Sequence, residues 1–155
     1  MAAELPRASR RFLESVDFES EVRVFPEGTK TAEDAAAAVG CPVSAIVKSL
    51  VFVVDDEPVV ALVPGDLRLD TARLAAAAGG TQVRRASLEE VRESTGYAAG
   101  GTPPFGHVTS LRVFADPALT RNDPVWAAAG TPTTVLPISI ADLDRLAAPV
   151  WVRVT

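Results

Sequence analysis

The stretch AIVKSLVFVV, Ala45 to Val54, decides how the rest of the chain is read. It is rich in β-branched and aromatic residues, which suit a pleated, buried surface, so it is expected to be a strand. Asp55-Asp56-Glu57 supplies a turn, and Pro58 to Val63 returns as a second apolar strand before Pro64-Gly65-Asp66 stops it. Alternation puts Ile46, Lys48, Leu50 and Phe52 on one face and Val47, Ser49, Val51 and Val53 on the other. Both faces are largely apolar, so a central strand covered on both sides follows. An ammonium in such a strand is costly unless something compensates it. Lys48 is therefore the first candidate group. Either it meets a phosphate, a carboxylate or a developing oxyanion, or it snorkels from a strand end or pairs with a buried carboxylate.

The segments around this pair alternate between the two periods. Arg7 to Phe18 reads as a helix with Phe12, Leu13 and Val16 on one side, and Glu21 to Phe25 as a short strand. Pro26 to Lys30 is a turn. Thr31 caps a helix over Ala32–Val39, which ends at Gly40. Asp70–Ala78 is an alanine-rich helix closed by Gly79-Gly80, and Thr81–Arg84 a short strand. Ser87 and Glu90 form a capping box for a helix through Glu93. Strands follow near Leu111–Ala115, Val125–Ala128 and Thr133–Ile138. Ser139 then caps a helix over Ile140–Leu146, and Val150–Val154 closes the sheet. Strands and helices mix without a strict βαβ rhythm. The expected class is α+β, a mixed or largely antiparallel sheet with flanking helices, in one domain spanning residues 1–155.

Composition bounds the chemistry. The chain has 155 residues, 48% of them hydrophobic and 23% charged, which argues against intrinsic disorder. With 1 cysteine no intrachain disulfide can form, and with 1 histidine the usual nitrogen and sulfur zinc sites cannot be built. No metal and no cofactor are expected. No apolar run approaches the roughly 20 residues of a membrane helix, and the N-terminus lacks an apolar signal core. A soluble cytoplasmic protein with no membrane association is expected. A net charge of −5 argues against a general nucleic-acid coat protein but is compatible with a small local site for a nucleic-acid end. Among 15 cationic side chains only Lys30 and Lys48 are lysines.

The second candidate is the loop Gly96–His107, GYAAGGTPPFGH. Gly100, Gly101 and Gly106 permit backbone conformations closed to other residues, so that successive N–H groups can converge on an anion or a carbonyl oxygen. Pro103-Pro104 stiffens the loop. It fits neither a Walker A loop nor GxGxxG. His107 follows it and reads either as a general base or substrate contact or as a structural histidine. No G-x-S-x-G elbow is present. Cys41, among Val39, Pro42 and Val43, reads as a buried structural thiol. Trp126 and Trp151 read as core. Arg7, Arg10, Arg11 and Arg84-Arg85 are small basic clusters, solvated by default and phosphate contacts as the sharper option.

Taken together, four segments resemble the YbaK/EbsC-type aminoacyl-tRNA deacylases, relatives of the editing domain inserted in bacterial prolyl-tRNA synthetases. They are TAEDAAAAVGCP at Thr31–Pro42, IVKSLVF at Ile46–Phe52, GYAAGGTPPFGH at Gly96–His107 and VWAAAG at Val125–Gly130. The order and spacing agree over about Thr31–Leu146. The pairing of the lysine strand with the glycine-proline loop is the specific part.

The resemblance implies a mixed, partly barrel-like sheet surrounded by helices. It implies hydrolysis of the ester joining a wrong amino acid to the 3′ end of a tRNA. The substrate would be a small amino acid such as Ala or Cys on tRNA-Pro. Lys48 matches the family's essential lysine, and Gly100 and Gly101 match the loop at the reacting ester. These three are the expected catalytic positions. Thr31, Phe105, Gly106, His107, Ala128 and Gly130 are the expected substrate-binding positions. The implied partners are the tRNA acceptor end and prolyl-tRNA synthetase. One departure bears on specificity: cysteine-removing members carry a serine just before the late-strand glycine, where this chain has Ala127, Ala128 and Ala129. The alternative function is a non-catalytic module of the same fold that captures an aminoacyl-tRNA end or a small ligand.

Overall fold

In the computed structural model, residues 5–29 and 31–155 are described; Met1–Glu4 and Lys30 lie outside them. The helices are α1 (Arg7–Ser15), α2 (Ala32–Val39), α3 (Thr71–Ala78), α4 (Leu88–Thr95) and α5 (Ile140–Ala147). The strands are β1 (Arg23–Val24), β2 (Ile46–Val54), β3 (Glu57–Pro64), β4 (Val83–Arg85), β5 (Arg112–Ala115), β6 (Val125–Ala128), β7 (Thr134–Ile138) and β8 (Val150–Trp151). They form a mixed sheet ordered β1-β7-β6-β2-β3-β5-β8, with β4 also on β2. The pairs β2/β6, β3/β5 and β5/β8 are parallel, and the remaining pairs antiparallel. The expected mixed sheet with flanking helices is observed.

The helix signals in the sequence act as their chemistry dictates. Thr31 accepts from Asp34 N–H, Ser139 from Asp142 N–H, and Ser87 with Glu90 makes a reciprocal capping box. Asp70 caps α3 through the N–H groups of Ala72 and Arg73.

Three elements are shorter than the sequence suggests. Helix α1 stops at Ser15, and Val16 is extended. This turns Phe18 onto Phe105, edge to face at 5.9 Å, a contact that a continued helix would not reach. The expected strand Glu21–Phe25 narrows to Arg23–Val24, beside a Phe25 N–H bond to Thr133 O. Strand β8 stops at Trp151 because the buried Asp116 carboxylate takes the N–H groups of Val154 and Thr155. Two 3₁₀ turns, Val43–Ala45 and Pro117–Arg121, were not anticipated.

The central pair is covered on both faces, as its all-apolar pattern requires. One face carries Val47, Val51, Val60 and Leu62, packed with Phe12 of α1, Val91 of α4 and Leu143 of α5. The other carries Phe52, Val54, Val59, Ala61 and Val63 with Leu74 of α3 and Phe114. Ile46 belongs to a separate small cluster with Ala35 and Ala36 of α2. Lys48 lies between Ile46 and Phe52 on that second face. It therefore sits at the seam between the apolar patches made by α2 and α3, where a charge costs least. Among the described residues no helix is long and apolar enough to cross a membrane.

Candidate functional site

One edge of β2 is paired along nearly its whole length: β3 runs antiparallel to it from Val47↔Pro64 to Val54↔Glu57. The other edge is forked. Strand β6 takes Ile46 and Val47, and β4 takes Phe52 to Val54. Between them Lys48 to Val51 has no strand partner on that side. Val51 O accepts from Ala86 N–H on this edge. Main-chain groups alternate between edges, so those of Ser49 face the same gap.

A cavity of about 300 Å³ opens at the fork. Its walls are Lys48, Ser49 and Leu50 of β2, Trp126 to Ala128 of β6, Val135 of β7, and Thr31, Ala32 and Ala35 at the start of α2. Ile46, Val47, Gly100, Thr102, Thr29 and Arg85 complete it. A smaller cavity of about 120 Å³ adjoins it and shares Ser49, Leu50, Arg85, Gly100 and Thr102.

Lys48 Nζ donates to the carbonyl of Leu67, at 2.7 Å, in the connection from β3 to α3. Burial pushes its ammonium below the usual lysine range. Glu33 in the first turn of α2 opposes that most, and Asp66 also opposes it, while Arg68 and Arg85 add to it. The amine is thus half-buried, held by one carbonyl, and set between acids and other cations.

Of the positions singled out in the sequence, Lys48, Gly100, Thr31 and Ala128 come together in this cavity. Gly101, Phe105, Gly106, His107 and Gly130 do not line it. Gly101 donates its N–H to Ala98 O and accepts from Gly130 N–H, so its main chain is committed to the loop. Gly130, at φ +107°, is closed in by Ala8 of α1, whose carbonyl oxygen a Cβ would meet at 3.0 Å. Phe105 is buried against Phe12 and Phe18. Gly106, at φ +75°, lies against Val16 and the Phe12 ring. His107 turns back on its own loop: Nε2 donates to Pro103 O at 2.7 Å, and burial lowers its pKa.

Other expectations are refined. Trp126 is half-buried: it packs against the Ala35, Ala36 and Ile46 cluster and also lines the cavity, with the Arg23 guanidinium over its ring. Trp151 is half-buried against the main core and donates to Asp144. Cys41 is half-buried, and burial raises its thiol pKa. The Arg84-Arg85 pair splits, since Arg84 pairs with Glu90 while Arg85 lines the cavity.

Among the polar residues that line the cavity, Ser49 and Thr102 are not among the site positions read from the sequence, whereas Arg85 belongs to a basic pair offered there as a phosphate contact. Ser49 carried a signal, a lone hydroxyl in a face of valines. Its Oγ is buried without a hydrogen-bond partner among the described residues. Leaving such a group unpaired costs about 1–3 kcal/mol. Among the described residues no three His, Cys, Asp or Glu side chains converge as metal ligands.

The chain is similar to known proteins over most of its length. The family profile described as an aminoacyl-tRNA editing domain matches residues 26–146. A solved structure described as a candidate trans-editing enzyme for prolyl tRNA synthetase superposes with a TM-score of 0.91 at 40% identity, covering 98% of this chain and 99% of that one. The uncharacterized protein YwhH of Bacillus subtilis is 31% identical over 138 residues, 88% of this chain and 87% of that protein. The proline–tRNA ligase of Nitratidesulfovibrio vulgaris is 39% identical over 99 residues, 64% of this chain. The chain spans only 17% of that ligase's length. The matched region contains the forked β2 edge, the glycine-proline loop and every wall of the cavity, and by that match the chain belongs to the aminoacyl-tRNA editing domain family.

Proposed function

We propose that this chain hydrolyses the ester between a small amino acid and the 3′ end of a tRNA, with alanine or cysteine on tRNA-Pro as the substrates to expect. The observation that carries the reading is the meeting of Lys48 and Gly100 in one cavity at an unpaired strand edge. An aminoacyl ester is already activated, so positioning and charge stabilisation suffice without a nucleophilic side chain. Water attacks the carbonyl carbon, the bond to the ribose oxygen breaks, and the leaving ribose hydroxyl takes the proton that water gives up.

The Lys48 ammonium holds the terminal phosphate or the ester oxygen. Gly100 N–H, which donates to no described residue, is the free donor at the rim for the carbonyl oxygen. Ala32, Ala35, Ala127 and Ala128 keep the walls short, which suits a small side chain. Selection by a second pocket is needed because a missing methylene is worth only about 1–3 kcal/mol in a synthetase. The similarity to a segment of proline–tRNA ligases supports prolyl-tRNA synthetase as a partner.

The test is deacylation of tRNA-Pro charged with alanine, cysteine or serine, against spontaneous hydrolysis. Wild type is expected to accelerate at least one. Lys48→Ala is expected to lose about 10²- to 10³-fold in kcat, the scale of one removed electrostatic contact. Rates equal to spontaneous hydrolysis for every substrate would sink the reading. Tight binding of intact aminoacyl-tRNA without product would point to the capture module.

A further inference from the structure

A second basic surface lies outside the cavity. Arg7 and Arg11, one turn apart on α1, converge with Arg92 of α4 on a groove of about 480 Å³. Its remaining walls are Ala8, Gly96, Tyr97, Ala98, Gly130, Thr131 and Pro132, with no acidic residue among the described ones. All three arginines are exposed. The described ion pairs engage Arg73, Arg84, Arg112, Arg121 and Arg145, not Arg7 or Arg92. Arg11 is oriented from the protein side, lying over the Tyr97 ring at 4.8 Å and donating to Gly96 O.

Two facts make this placement informative. The chain as a whole is acidic, with net charge −5, so an acid-free cluster of three arginines runs against its composition. Arg7 also stands at the first position of α1, which has no acidic residue in its first turn. Cations there oppose the helix dipole and cost helix stability.

The groove adjoins the cavity. Pro132 lines the groove. A Cβ on Gly100 would lie 4.0 Å from Pro132 Cγ, and Thr29 donates to Pro132 O through both its N–H and its hydroxyl. Gly100 and Thr29 line the cavity. One rim, Gly100–Pro132–Thr29, therefore separates the two.

We propose that the Arg7–Arg11–Arg92 groove binds the phosphate backbone of the acceptor stem whose acylated end occupies the cavity. The assignment rests on the deacylase reading for its ligand. Its physical basis is a cation cluster whose Arg7 and Arg92 have no ion-pair partner among the described residues, across a single rim from a site for a nucleic-acid terminus. Such contacts position the RNA without reading its sequence, and they release counter-ions.

The experiment measures binding of an uncharged acceptor-stem minihelix RNA by fluorescence anisotropy, from about 50 to 200 mM salt. Arg7→Gln/Arg92→Gln leaves Arg11 and its loop contact in place. This double variant is expected to weaken binding several-fold. It should also lower the slope of log K against log salt by about 2, one unit per lost phosphate contact. Arg7→Lys/Arg92→Lys should keep most of the slope, which separates lost charge from a misfolded helix. In deacylation, the Gln variant should raise KM and spare kcat, and it should hydrolyse a stem-free aminoacyl-CCA trinucleotide at the wild-type rate. Unchanged affinity and slope in the Gln variant overturns the groove assignment, whatever the deacylation result. An arginine-dependent slope in a protein that hydrolyses nothing would keep the groove and sink the deacylase reading.

Discussion

The two halves of the loop between α4 and β5 both contain glycine and do different work. Ala98 to Thr102 reaches the fork in the sheet, where Gly100 and Thr102 line the cavity. Phe105 to His107 turns away into the core, where Phe105 meets Phe12 at 5.4 Å and Phe18 at 5.9 Å. Pro103-Pro104 joins them. A glycine-rich motif can thus put one half at the cavity and pack the other half into the core beside it.

The comparison also divides the adjacent glycines. Gly100 needs a positive φ of +86° but has open space, the nearest atom to an added Cβ being Pro132 Cγ at 4.0 Å. Gly101 needs no unusual φ but has no room, since a Cβ there would meet Thr131 main chain at 2.6 Å.

Substitutions can break this division. Phe105→Ala should cost the most, about 3–5 kcal/mol, because it empties a buried aromatic site. Chemical denaturation would measure that loss, with kcat per folded molecule retained. A fall in kcat at unchanged stability would instead move Phe105 into the site.

Gly101→Ala comes next. It forces two backbone segments apart and should cost about 1–3 kcal/mol, with lower activity because the rim shifts. Gly100→Ala should cost about 1–2 kcal/mol through the left-handed backbone alone. Equal losses for the two would show that the contrast between room and conformation is wrong.

The smallest effect concerns His107. Burial lowers its pKa below the ordinary 6.5, so below that pH the unfolded chain binds a proton that the folded one resists. Stability should therefore fall as pH drops through about 6.5, where the unfolded imidazole titrates, and level off at higher pH. His107→Gln should flatten that part of the stability curve and leave kcat near wild type. A matching change in the pH profile of kcat would put the imidazole in the chemistry.

Much of the architecture was readable locally. The caps at Thr31, Ser87 and Ser139 and the all-apolar strand pair obey nearest-neighbour chemistry, and each appears where its residues place it. The elements that shrank, β1 and β8, are edge strands whose length depends on distant partners such as the Asp116 carboxylate. The site was half readable. Lys48 announced itself as a charge in an apolar run. Ser49 and Arg85 carried weaker signals, a lone hydroxyl among valines and one half of a basic pair, because whether a strand residue faces a neighbour or a void depends on which strands pair with its edge.

By itself, then, the order of residues determined the secondary elements, the central hairpin and the presence of one awkward ammonium. These follow from periodicity, capping and the cost of burying charge. Only the tertiary structure decided that β4 and β6 share one edge of β2 and leave Lys48–Val51 open between them. Only it decided that Gly100 joins that gap while His107 does not. The physical reason is that strand pairing and loop docking are settled by contacts far apart in the chain, which no local pattern encodes.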